Sequence, residues 1–344
     1  MKKKIISYLV IALVTILVLY FSLKHHFNEI MDTLVNMNKL WIILAFLVMV
    51  ICWLLKTIPV HLFCREYKTD FKYKDSLLLI LRTQFANAVT PFATGGQPYQ
   101  VYFLNKKGIE VGKSTGIILQ NFIVYQIALV FLGVVALVSN LIFEFLPSNG
   151  LLIKLTALGF IINFLVICFS FLLAFAKRFS KWLIKHIITI LNKMHIVKDK
   201  DKKIKSWGDS IANFHDSSIM LMKNWKLFIG TILINLIYLC LLYSIPFFVL
   251  VATGKYGQFA SVTFGTTIMV SAYVMLIGSF VPIPGGTGGL EGAYKEFFGV
   301  ILDGYRGPIT NSTMIIWRTI TYFFGLIVGG IAFNISEKKV KKCE

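Results

Sequence analysis

Apolar stretches long enough to cross a bilayer alternate with short polar, mostly basic segments along the whole chain. A bilayer core is about 30 Å thick, so a spanning helix needs about 20 predominantly apolar residues. Ile5–Leu23, Leu40–Phe63, Thr115–Phe143, Leu151–Ala176, Phe228–Val251 and Met314–Ile335 fit that requirement. Two further apolar stretches, 76–104 and 259–302, are interrupted. The first breaks at Pro91, Gly95, Gly96 and Pro98, and the second at Pro282, Pro284, Gly285, Gly286, Gly288 and Gly289. Such clusters of proline and glycine do not continue a helix. Apolar sequence on both sides places each break at membrane depth, where unwound backbone is tolerated only when buried in protein or lining a watery cavity. A Pro/Gly loop at the membrane surface is the simpler alternative for each. The pattern predicts an all-α polytopic membrane protein, with about six full spans plus two re-entrant hairpins.

The two breaks are related. Pro91-x3-Gly95-Gly96 recurs as Pro284-x3-Gly288-Gly289, 193 residues later, and the same displacement carries the flanking spans close to one another. Each unit therefore reads span, broken hairpin, span. Lys and Arg mark cytoplasmic segments. Lys2, Lys3 and Lys4 place the N-terminus inside, and Lys338, Lys339, Lys341 and Lys342 place the C-terminus there too. The first hairpin then opens to the cytoplasm and the second outward, so the units are inverted repeats. Inverted repeats with paired, Gly/Pro-broken segments suggest a transporter whose site lies where the breaks meet. Two hairpins that only stiffen a scaffold are the alternative.

The expected organisation is a signal-anchor span and outer loop (1–39), then a first membrane repeat (40–143) containing hairpin 76–104. A span with a basic, amphipathic cytoplasmic linker follows (144–226). An inverted second repeat (227–336) contains hairpin 259–302, and a basic tail (337–344) ends the chain. Within the linker, Phe179, Trp182, Leu183, Ile187, Ile190, Leu191 and Met194 recur at helical spacing among lysines, as in a helix lying on the inner leaflet. The apolar run after Lys4 is too long for a cleaved signal peptide, so it is expected to stay as an anchor.

Composition sharpens the class. The 344 residues are 57% hydrophobic with a formal net charge of +19, beyond ordinary soluble composition. The basic residues cluster beside apolar spans, where they set orientation and attract anionic headgroups. No basic domain stands free of the membrane, so no direct nucleic-acid partner is expected. The five cysteines show neither metal nor redox spacing. No catalytic residue, metal or cofactor is expected.

Three stretches, PIPGGTGGLEGAYKEFF, TPFATGGQPYQVYFLNKKG and MIIWRTITYFFGLIVGG, resemble the transmembrane-region family of lysylphosphatidylglycerol synthases, and the resemblance runs in order along nearly the whole chain. In the best-known members this region is fused to a soluble domain that transfers lysine from lysyl-tRNA to phosphatidylglycerol. The membrane part acts as a flippase for the product, which confers resistance to cationic antimicrobial peptides. The resemblance implies roles for Glu291 and Arg318, and a central site at the two glycine turns. Gln97, Pro98 and Gln100 stand where many relatives carry an acidic residue and an arginine, and Gln120 and Asn121 stand where relatives often have a charged pair. A different headgroup is one consequence. No soluble transferase domain is expected in this sequence, so a transferase reading needs a partner protein.

The expected substrate is an anionic or aminoacylated phospholipid in the cytoplasmic membrane. Arg82, Lys295 and Arg318 are candidates to neutralise its phosphate, and Glu291 to pair with an aminoacyl amine or with Arg318. Thr94, Gly95, Gly96, Gln97 and Gln120, with Gly285, Gly286, Gly288 and Gly289, complete the candidate binding set. Each ionisable residue also has a structural alternative. Arg82 and Lys295 can snorkel to an interface, and Glu291 with Arg318 can be an architectural ion pair. A lysyltransferase component and a non-transporting scaffold remain the alternative functions.

Overall fold

A computed structural model describes residues 35–146, 150–193, 224–259, 261–278, 283–302 and 308–335, with Asp199, His215 and Ile219 as single positions. The expected N-terminal span, most of the basic linker and the basic tail lie outside the described residues. The described residues are helical, and five of their helices are long and apolar enough to cross a membrane. These are α1 (Lys39–Tyr67), α4 (Val111–Phe143), α5 (Gly150–Phe175), α7 (Trp225–Ala252) and the last helix. The last helix consists of α10 (Pro308–Arg318), a π-helical turn at Thr319–Phe323 and α11 (Phe324–Asn334). They make the polytopic architecture read from the pattern. Helices α1 and α7 run through Pro59 and Pro246, which the surrounding bundle accommodates.

Four shorter helices build the hairpins. Helix α2 (Tyr73–Ala88) reaches a 3₁₀ turn at Pro91–Ala93, and α3 (Gly96–Lys106) returns. Helix α8 (Phe264–Gly278) leads toward a 3₁₀ turn at Pro284–Gly286, and α9 (Gly289–Ile301) returns. At 1.5 Å per residue, the 16 residues of α2 reach only about 24 Å, short of a bilayer core. The amphipathic stretch forms α6 (Lys177–Lys193), directly after α5.

The repeat holds residue by residue at the breaks. A displacement of 193 lays Pro91–Ala93 on Pro284–Gly286, and the first residue of α3 on that of α9. It also lays the left-handed residues Phe92 and Ala93 (φ 53° and 54°) on Gly285 and Gly286 (both 67°). In both turns a threonine hydroxyl donates to the proline carbonyl, Thr94 to Pro91 at 2.9 Å and Thr287 to Pro284 at 3.0 Å.

The units are also inverted. Helices α1 and α7 form the most extensive helix pair and run antiparallel: the Asn38 N–H donates to the Ala252 carbonyl, and Cys52 meets the carbonyl of Tyr238. The first hairpin opens at the C-terminal end of α1, where Lys68 donates to the Lys107 carbonyl and Lys107 pairs with Asp75 at 2.6 Å. The second opens at the C-terminal end of α7, where Phe247 and Phe248 pack on Phe264. Those ends face opposite ways, and the two hairpin turns touch in the middle.

Each hairpin leans on the other unit. Helix α2 packs along α11, and α8 packs along α4 and α5. Gly329 makes the first contact close: a Cβ there would lie 2.7 Å from the Leu81 carbonyl oxygen. Buried polar groups fasten the second, with Gln126 donating to Asn163 and Asn163 to the Leu276 carbonyl. A stack of Phe298, Tyr294 and Trp317, with centroids 4.2 and 5.0 Å apart, ties α9 to the last helix.

Candidate functional site

A cavity of about 330 Å³ lies where the two turns meet. Helix α2 contributes Gln84 and Asn87, and the first turn Phe92 and Ala93. Tyr125 comes from α4, Gly285 and Gly286 from the second turn, and Thr321 and Tyr322 from the π-helical turn. That local widening of the last helix presents consecutive side chains to the cavity. Such π-turns occur frequently at functional sites.

Behind the second turn sits a charged pair. The Arg318 guanidinium donates to the Gly285 carbonyl at 2.7 Å, and its Nε approaches the Glu291 carboxylate at 2.8 Å. The Nε contact is an ion pair without a directed N–H···O bond. The other Glu291 oxygen accepts from the Gly288 N–H at 2.6 Å. A carboxylate in the first turn of α9 thus caps a helix start that opens on glycine, where the helix dipole favours negative charge. The Tyr322 ring lies 4.5 Å from the guanidinium carbon, and its hydroxyl donates to the Ala88 carbonyl at 3.0 Å. One tyrosine therefore joins the charged pair of the second hairpin to the end of α2. Gly285 is needed for this contact: its φ is 67°, and a Cβ would strike the Tyr322 ring.

The expected site residues divide by position. Gly285 and Gly286 line the cavity, while Arg318 and Glu291 brace the turn that carries them. Gly288 starts α9 with open space on its side-chain direction, and Gly289 is the first helical residue. Lys295 is half-buried one turn beyond Glu291. In the first hairpin Gly95 and Gly96 pack against Thr90 and Asn87, so they shape the turn. Thr94 and Gln97 are exposed, and Gln120 is buried in α4. Arg82 points along α11 instead: it donates to the carbonyls of Ala332 (2.9 Å) and Ile335 (2.8 Å) and to the Tyr99 hydroxyl. There it closes the C-terminal end of the last helix.

Sequence reasoning missed the amides of Gln84 and Asn87 and the phenol of Tyr125. All three line the cavity, and their side chains find no hydrogen-bond partner among the described residues. Polar residues one turn before a break were the available signal. Tyr322, four residues after Arg318 and so on the same helix face, was another.

Comparison with known proteins agrees with this architecture. The family model described as "Lysylphosphatidylglycerol synthase TM region" matches residues 5–329. A "UPF0104 membrane protein" of Archaeoglobus fulgidus is 24% identical over 311 residues, covering 88% of this chain and 89% of that protein.

Proposed function

The chain belongs to the lysylphosphatidylglycerol synthase transmembrane-region family, and from that premise we propose that it is a lipid translocase, which passes a phospholipid headgroup between the two inverted hairpins. The observation that carries this reading is the cavity at the meeting of the turns, lined by amides and a phenol that have no hydrogen-bond partner among the described residues. These half-buried groups leave hydrogen-bond donors and acceptors open to a bound polar group. At about 330 Å³ the cavity is at the small end of ligand sites, so it suits a headgroup with the acyl chains left in the bilayer. The hairpins open on opposite faces and meet at their tips, the arrangement in which access alternates by rocking one unit against the other. Glu291 and Arg318 hold the second turn in shape, so their part in transport is to position Gly285 and Gly286.

Headgroup translocation in proteoliposomes tests this. Labelled phosphatidylglycerol and lysyl-phosphatidylglycerol are to be followed with wild type, Glu291→Gln and Arg318→Ala, each first shown to fold. Wild type is expected to move at least one lipid and both variants to lose most of that rate. Movement of neither lipid by wild type counts against translocation of these substrates and favours a scaffold. Movement untouched by both changes removes the site.

A further inference from the structure

One cation in the bundle is not used by the site described so far. Lys56 lies within the spanning helix α1, on the same inward stripe as Cys52, Trp53, Val60 and Phe63. The lipid-facing positions of that helix are others, Leu47, Ile51 and Leu54 among them. The Lys56 Nζ sits 6.0 Å from the Tyr125 ring and 5.5 Å from the Tyr238 ring. Among the described residues no carboxylate pairs with it and no hydrogen-bond acceptor meets it. One turn earlier, the Trp53 indole N–H is buried and likewise has no partner. Tyr125 is itself a wall of the cavity, and Gly325, another wall residue, packs on Trp53.

The balance of charge at this level is uneven. Arg318 is matched by Glu291, and Arg82 is spent on helix-end carbonyls. Lys56 has only aromatic faces, which hold an ammonium in place without cancelling its charge. An unneutralised lysine inside a membrane protein is expensive and points to a partner that comes and goes. Lys56 stands behind the Tyr125 wall, and the polar lining of the cavity itself, Gln84, Asn87 and Tyr125, offers donors that also suit an anion.

We propose that Lys56 supplies the counter-charge for an anionic phosphate held in the cavity between the hairpins, so that the site selects headgroups of net negative charge over zwitterionic ones. This deepens the translocase reading and rests on it for the lipid as source of the phosphate. At an effective dielectric near 20, unit charges about 10 Å apart attract enough to change binding roughly tenfold.

The test measures binding apart from transport. Native mass spectrometry of the purified full chain follows retention of phosphatidylglycerol and phosphatidylcholine, with glycerol 3-phosphate as a water-soluble competitor. Wild type is expected to prefer phosphatidylglycerol, Lys56→Met to lose that preference roughly tenfold, and Lys56→Arg to keep it. A packing role alone would weaken both lipids equally. An unchanged preference in Lys56→Met, or equal retention of both lipids by wild type with no Lys56-dependent retention of glycerol 3-phosphate, overturns the inference. Lys56-dependent retention of glycerol 3-phosphate without lipid preference supports the anion site and assigns it a soluble phosphate. Vesicle transport is read separately: Lys56-dependent binding without translocation defeats the translocase reading alone, and translocation indifferent to headgroup charge in wild type and Lys56→Met defeats this inference alone.

Discussion

Removing Glu291 and Arg318 singly and together separates architecture from transport at the charged pair. Their contact at 2.8 Å is worth about 6 kcal/mol of gross attraction at an effective dielectric near 20. Desolvation cancels much of that, because the Arg318 side chain is only 6% exposed and that of Glu291 22%. The measurable quantity is what each leaves behind. Glu291→Gln strands a buried guanidinium that still has the Gly285 carbonyl and the Tyr322 face, so about 3 kcal/mol is expected. Arg318→Gln strands a carboxylate that keeps the Gly288 N–H and loses its brace on the turn, for a similar or larger cost. The double variant strands neither charge. It is expected to be about 2–3 kcal/mol better than the sum of the singles. Reversible unfolding by sodium dodecyl sulfate measures all three against wild type. Losses that add to within about 0.5 kcal/mol would refute the coupling. Translocation measured on the same proteins gives the second half of the answer. With the turn unbraced, the double variant is expected to regain stability and not transport.

Other substitutions probe the turns and the helix contacts. Gly285→Ala is expected to cost more than about 2 kcal/mol, from left-handed strain plus displacement of Tyr322, whereas Gly288→Ala, with open space around it, shows backbone strain alone, about 1–3 kcal/mol for φ 87° and ψ −52°, in thermal unfolding. Ala93→Gly relieves a left-handed alanine and is expected to raise stability by about 1 kcal/mol; a lower melting temperature would show that φ 54° is not strained there. Arg82→Gln removes charged donors from Ala332 and Ile335 at a cost of about 2–4 kcal/mol, seen as faster proteolysis at the end of α11.

The breaks were readable because prolines and glycines cluster there, whereas single ones such as Pro59, Pro246 and Gly329 sit inside continuous helices, and the repeat was readable because Pro-x-x-Thr-Gly-Gly occurs at both. The 193-residue displacement then proved accurate to the residue, down to the left-handed pair in each turn. The cavity walls were not readable. Which face of α2 meets α11 follows from the exchange of neighbours between the units, and that exchange leaves no local mark on Gln84 or Asn87. Arg82 shows the same gap from the other side. Its sequence position beside a broken hairpin suggested a phosphate ligand, but its donors go to carbonyls about 250 residues away. Lys56 was hidden by its surroundings, since one lysine does little to the average of an otherwise apolar span.

That long reach sets an order of assembly. A chain made from its N-terminus delivers the Arg82 guanidinium to the bilayer well before Ala332 and Ile335 exist to receive it. Helix α8, by contrast, arrives with its partner α4 already in place. The second hairpin can dock as it emerges, and the first must wait, its cation unsatisfied, until the last helix is threaded. Two halves that mirror one another in space are thus unequal in time, and the final turn of the final helix is the step that releases the first hairpin from waiting.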